Sequence, residues 1–161
     1  KLYEDNDERA IFFAKGVIET VKKLNWAPDI IHVQGWIAML MPLYCKHYYA
    51  DEPILANTKV VSSIFNTPFE EPLSSNLINK LAFDGLDGEL TKDLKTPNFS
   101  ALAKNAIANS DGLIIADTDI DKSVKKEILS SNKPILHSSS KESFEDDYNE
   151  FYTNQILNLE K

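Results

Sequence analysis

The sequence predicts an α/β fold, a parallel sheet covered by helices on both faces, and three observations predict it. Short apolar runs, Ile30–Val33, Val60–Ile64 and Leu113–Ala116, alternate with segments whose apolar residues recur at helical spacing. Each run is continuously apolar or nearly so, as in a strand buried on both faces, and lacks the strict in–out alternation of a half-exposed antiparallel strand. The 161 residues, 43% hydrophobic and 26% charged, suffice for one domain with a proper core.

Taken in order, the first element is the clearest. Ala10, Phe13, Ala14, Val17, Ile18, Val21 and Leu24 fall at i, i+3, i+4, i+7 positions and predict a helix with one apolar face. Asp5 or Asn6 is placed to cap it, and Lys22 and Lys23 suit its carboxyl end. Pro28 blocks further helix and hands over to a strand, 29–33. A helix is predicted over 36–48, kinked or starting late because Pro42 lies inside it. The β-branched residues of 59–65 predict the next strand, and Asn66-Thr67-Pro68 ends it. A short helix over 74–82 precedes the turns Asp84-Gly85 and Asp87-Gly88. Asn98 caps a helix through Asn109 with Leu102, Ala106 and Ile107 inward, and Asp111-Gly112 separates it from the strand 113–116. Asp119 is the expected cap of a helix over 120–130. A strand over 134–137 follows, and then a last helix from about Lys141 with Phe144, Tyr148, Tyr152, Ile156 and Leu159 on one face. A helix begins within a few residues of Lys1, whereas a doubly wound sheet ordinarily opens on a strand. The expectation is therefore one domain, 1–161, incomplete at its start.

Charge and composition exclude several classes of function. A net charge of −8 disfavours a nucleic-acid or anionic-membrane surface, and no apolar run approaches the length of a membrane span. Cys45 is the only cysteine, so no internal disulfide framework exists and a reducing cytoplasm is the simplest compartment. His32, His47 and His137 are far apart. For His32 a hydrogen-bonded core role outweighs a catalytic one. No glycine-rich phosphate loop and no nucleophile elbow is present, and no motif calls for a cofactor or a metal. The run Leu113–Ala116 followed by Asp117-Thr118-Asp119 is similar to the nucleophile motif of haloacid-dehalogenase phosphatases, where Mg²⁺ offsets the charge. Its remaining parts are not evident downstream, and a strand end followed by a helix cap is the simpler reading. Phe12, Phe13, Tyr44, Tyr48 and Tyr49 lie at helical spacings and read as packing. Trp36, just after a strand end, is the aromatic to carry forward as a ligand platform, although core packing explains it slightly better.

Several segments, in order, resemble the amino-terminal domain of glycogen and starch synthases, glycosyltransferase family five. Tyr3-Glu4-Asp5-Asn6-Asp7-Glu8-Arg9-Ala10-Ile11-Phe12 resembles that family's Tyr-x-Asp-Asn-x-x-Arg-Phe helix start. Trp26-Ala27-Pro28-Asp29-Ile30-Ile31-His32 resembles its Trp-x-Pro-Asp strand ending in His, and the match continues through Pro42-Leu43-Tyr44. Ser63-Ile64-Phe65-Asn66 stands where the family has a strand ending in His-Asn. Ala103–Leu113 is similar to its Leu-Lys-Ala-Gly…Ala-Asp segment. The similarity spans roughly Tyr3 to Ile120.

The resemblance implies a Rossmann-like domain forming the amino-terminal half of a GT-B glycosyltransferase, related to glucosyl transfer from ADP-glucose to an α-1,4-glucan. It also implies that reactive positions are replaced. The family's His-x-His-Asp-Trp-His reads His32-Val33-Gln34-Gly35-Trp36-Ile37, the His before Asn66 is Phe65, and its Tyr-Gln-Gly reads Phe69-Glu70-Glu71. Isoleucine can neither bond a sugar hydroxyl nor move a proton. No catalytic residue is therefore assigned. The implied substrate-binding residues are Trp36 to stack a sugar ring, Gln34 and Asn66 to bond hydroxyls, and Asp5 to orient the cleft edge. The implied ligand is an α-glucan or a nucleotide sugar, and a partner domain or a homo-oligomer would complete the cleft. Two alternatives are carried: an active ADP-glucose-dependent synthase needing a missing segment or partner, and, more remotely, the Mg²⁺-dependent phosphatase built on Asp117 and Asp119.

Overall fold

The computed structural model describes residues 3–137 and 144–159. Four strands, β1 (Ile30–Gln34), β2 (Lys59–Ile64), β3 (Gly112–Ile115) and β4 (Ile135–His137), form one all-parallel sheet in the order β1-β2-β3-β4. The register pairs His32 with Val61, Ser63 with Ile114 and Ile115 with His137. Among the described residues six α-helices connect or flank the strands: α1 (Asn6–Lys23), α2 (Met41–Leu43), α3 (Leu77–Phe83), α4 (Phe99–Asn109), α5 (Lys122–Ser130) and α6 (Phe144–Glu150). The predicted α/β architecture is the observed one.

Coverage of the two sheet faces is unequal. Side chains of α1 to α5 join Ile31, Val33, Leu113 and Ile115 in the large core. On the opposite face a small cluster holds Val61 and Ile114 against Phe151 and Ile156, from the π-helical turn 151–156 that continues α6. Sequential strand order with right-handed crossovers sends the connecting helices to one side, and among the described residues the element after β4 covers the other. Gly112 makes that contact close. A Cβ there would collide with Ile156 Cδ1 and press on Phe151.

Several local expectations are corrected. The inward stripe of α1 is Asp7, Ala10, Ala14, Ile18 and Val21, whereas Phe12 is 78% exposed and Phe13 and Leu24 also reach solvent. The helix is turned so that this face packs on the Trp36–Ala38 turn, α2 and the Tyr44–Tyr48 turn, and Phe12 faces away. Neither Asp5 nor Asn6 caps it: Asp5 holds the N-cap position, but its carboxylate binds Arg9. The helix predicted over 36–48 is a 3₁₀ turn at Trp36–Ala38, then α2 with Pro42 in its first turn, then a π turn over Tyr44–Tyr48 closed by Tyr49 N–H on Tyr44 O. Pro42 lacks an N–H and is tolerated only where that group would be unbonded, so the late start is the form observed. The cap of α5 is Asp121, not Asp119. Its Oδ1 accepts from the N–H groups of Ser123 and Val124, while Ile120 is buried in the core before the helix can begin. Asn98 does cap α4, accepting from Ala101 N–H at 2.9 Å. Leu102, Ala106 and Ile107 are buried as expected. In the last helix Phe144, the first residue of α6, and Leu159, beyond the π turn, are exposed, while Phe151 and Ile156 are buried. The start expected near Lys141 lies outside the described residues. Among the described residues no helix is long and apolar enough to cross a membrane.

Candidate functional site

All four strands point the same way, so their carboxyl ends share one edge of the sheet, where open α/β sheets bind ligands. The segment after β1 is Gln34-Gly35-Trp36, that after β2 is Asn66–Phe69, and that after β3 is Ala116–Asp121. The connection from α1 to β1 is short, so α1 runs antiparallel to β1. Its amino end therefore lies toward the same edge, and the helix packs on the Trp36–Ala38 turn.

At this edge a cavity of ≈ 630 Å³ opens between the loop after β2 and the amino ends of α4 and α5. Asn66, Phe69 and Glu70 form one wall, Phe99 and Ser100 a second, and Asp119 and Lys122 a third. Hydrogen bonds to two carboxylates shape it. Asp117 Oδ2 accepts from Asn66 N–H at 2.7 Å, tying the loop after β2 to the end of β3. Asp121 Oδ1 holds the start of α5, and the hydroxyl and N–H bonds from Ser123, with that of Val124, keep its carboxyl below the usual carboxylate range. The aromatic rings form a chain in which Trp36 meets Phe69 edge-on at 6.0 Å and Phe69 meets Phe99 at 6.2 Å.

The four residues expected at the site are not equally close to this cavity. Asn66 lines it. Trp36 reaches it only through Phe69, and among the described residues Trp36 is not part of its wall. Gln34 is exposed at the end of β1, outside that wall. Asp5 is exposed beside Arg9, whose guanidinium at 2.8 Å lowers its carboxyl pKa. The preceding Tyr3 and Glu4 border a neighbouring hollow of ≈ 370 Å³ with Glu71 and Leu73. The loop from Asn66 to Ser74 thus separates the two openings. Phe69, Glu70, Ser100 and Lys122 were not singled out as binding residues. Two signals pointed to Phe69 and Glu70: they stand where the resemblance places Tyr-Gln, and they lie between Pro68 and Pro72 in the loop that leaves a strand's carboxyl end.

The remaining titratable candidates are engaged elsewhere. His32 points to the opposite face, bonded through Nε2 to Ser63 Oγ at 2.7 Å and through Nδ1 to Tyr152 Oη at 2.8 Å. Burial lowers its pKa and keeps the ring neutral, in agreement with the core reading. Asp117, the first carboxylate of the phosphatase-like run, serves as the backbone tie just described. The Cys45 thiol is pushed up to about 12 by burial and is not poised as a nucleophile. Ile37, where the resemblance places a histidine, is half-buried and packs against the large core.

Comparison with known proteins gives one consistent answer. Residues 1–138 match the family model described as the starch synthase catalytic domain. The chain is 31% identical over 130 residues to a glycogen synthase of Clostridium perfringens, covering 80% of this chain and 27% of that protein. It is 31% identical over 141 residues to a glycogen synthase of Chlorobium luteolum, covering 82% and 28%. Over a shorter stretch of 68 residues it is 43% identical to a glycogen synthase of Vibrio parahaemolyticus, 42% of this chain and 14% of that protein. The chain therefore spans just over a quarter of the length of the first two relatives. No solved structure matches it.

Proposed function

Because the chain belongs to the starch synthase catalytic domain family, we propose that it serves as a sugar-binding half of a glycogen/starch synthase-like glycosyltransferase and does not transfer glucose by itself. The observation that carries this reading is the pairing of a built cavity with a missing reactive group. The strand-end edge has a cavity lined by Asn66, aromatic rings and carboxylates, which suits a polyhydroxylated ligand. The adjacent turn carries Ile37, a half-buried alkyl group packed against the core, where transfer would call on an imidazole. Glucosyl transfer needs polar groups fixed around the anomeric carbon to orient donor and acceptor and to stabilise developing positive charge. Gln34, Asn66 and the neighbouring carboxylates can hold hydroxyls, but none of them replaces that imidazole.

The test is calorimetric titration with maltoheptaose and, separately, ADP-glucose, together with incorporation of labelled glucose into glycogen. Heat on titration without incorporation is the expected result. No heat with either ligand overturns the binding reading, and incorporation by this chain alone overturns its inactivity. A second reading, an active synthase completed by further chain or by a partner, is supported by the length of the relatives. Labelled-glucose incorporation by the full-length gene product, absent from this chain alone, is its signature.

A further inference from the structure

We infer that residues 144–156 form a latch on the sheet that His32 fastens, and that mild acidification unfastens it while the rest of the fold stays closed. The latch lies beyond the match to the family model, which ends at residue 138, and so is a feature of this chain. It is held by little. None of the seven residues of α6 is buried, and the π turn buries two, Phe151 and Ile156, against Val61 and Ile114. By contrast α4, on the other face, buries seven of its eleven residues. An element with so few buried apolar groups opens at a lower free energy than the whole domain.

The polar fastening runs through an imidazole. Tyr152 Oη lies 2.8 Å from His32 Nδ1, and Ser63 Oγ of β2 lies 2.7 Å from Nε2. Tyr148 and Tyr152 set their rings edge-on to it at 5.7 and 5.9 Å, so the latch itself roofs the histidine. A neutral imidazole meets both hydroxyls with one N–H and one lone pair. A protonated one faces Ser63 from β2, Tyr148 from α6 and Tyr152 from the π turn, all hydroxyl groups, which offer no negative charge to pair with it. Burial keeps the Tyr152 phenol protonated, its pKa pushed up to about 12. On α6, Glu145, Asp146 and Glu150 are exposed and Asp147 is half-buried, and the downward shift of the His32 pKa comes from burial and not from a charged neighbour. Lifting Tyr148 and Tyr152 with the latch gives the ring water and restores the proton affinity of an exposed histidine. Each proton taken then favours the lifted form. The latch is therefore held fully above pH 6.5 and loosens as pH falls through 6.5 toward the lower pKa of the closed form. Lifting uncovers the strip of sheet around Gly112, Val61 and Ile114.

Amide hydrogen exchange of the chain between pH 7.5 and pH 5, corrected for the intrinsic pH dependence of exchange, tests this. Protection over 144–157 should fall several-fold, toward a limit of about 30-fold set by a histidine of ordinary pKa that binds no proton in the closed form. At every pH it should lie below the protection of α4 and respond little to low urea, the mark of a local opening. His32→Gln should flatten the response to pH, and Tyr152→Phe should lower protection over 144–157 several-fold at pH 7.5. An NMR titration of His32 in the unsubstituted chain gives a readout that no variant's folding affects, with a pKa expected below 6.5. Protection over 144–157 equal to that of α4, no fall on acidification, an unchanged pH response in His32→Gln, unchanged protection in Tyr152→Phe, or a His32 pKa at or above 6.5 overturns the inference.

Discussion

Gly35 illustrates how a single residue can depart from the family pattern for a local reason. It lies between β1 and the Trp36–Ala38 turn with φ at +77° and ψ at 156°, a combination that residues with a Cβ rarely adopt. A Cβ there would meet nothing within 4 Å, so the constraint is backbone conformation and not space. Gly35→Asp, which restores the residue the resemblance places there, should lower stability by about 1–3 kcal/mol, measured as a urea midpoint. His32 gives a second prediction at this scale. Burial holds its folded pKa below 6.5, so the folded state binds the proton less readily than the unfolded chain. Its contribution is then full above the unfolded value and is lost as pH falls through 6.5 toward the folded pKa. Tyr148 and Tyr152 are the titratable rings that face it, and no carboxylate contributes to its shift. Urea midpoints taken between pH 7.5 and pH 5 should fall, and His32→Gln should flatten that slope.

At the scale of elements, α6 with its π turn is the only described cover on one sheet face, and it is held by few groups. Phe151 and Ile156 fill the space over Gly112, Val61 and Ile114, and Tyr152 bonds His32. Gly112→Ala should cost about 1–3 kcal/mol through overpacking, and Ile156→Ala about 2–5 kcal/mol through the cavity it leaves. Combined, the two substitutions should cost less than their sum, because the truncated side chain makes room for the new methyl group. A double-mutant cycle by chemical denaturation measures this coupling, and strict additivity would show that the two residues do not share the contact. Asp117 plays a comparable part at the opposite end of the sheet. Asp117→Ala leaves Asn66 N–H without its partner and should cost about 1–3 kcal/mol, with faster amide exchange in the loop from Asn66 to Glu70.

The whole molecule combines a broad core beneath five helices with a cavity at the strand-end edge. The prediction at this scale is that sugar binding and sugar transfer separate: the chain binds a glucan or a nucleotide sugar without turning over a donor. Ionic strength provides a further check. Maltoheptaose affinity should change little between low and high salt, because a neutral ligand carries no charge for the bordering carboxylates to attract or repel, whereas any ADP-glucose binding should strengthen as salt screens that repulsion. Calorimetry at two salt concentrations reads both.

Periodicity made much of this visible in advance. The alternation of Ile30–Val33, Val60–Ile64 and Leu113–Ile115 with amphipathic segments determined the parallel α/β fold, since only strands buried on both faces tolerate such runs. Asn98 marked its helix because an amide oxygen at that position satisfies a free N–H. The order of motifs from Tyr3 to Ile120 pointed to the family, and Gln34, Gly35 and Ile37 stand where the resemblance expects His, Asp and His. What only tertiary structure decided is which side chains meet. Phe13 and Val21 belong to one helical stripe in the sequence, yet the packing of α1 leaves the first partly exposed and buries the second. Phe69 shows its ring partners, Trp36 and Phe99, only once the chain is folded, and Gly112 looks like a turn residue until Ile156 lands on it. These contacts join residues far apart in the chain, and local propensity carries no information about such pairings.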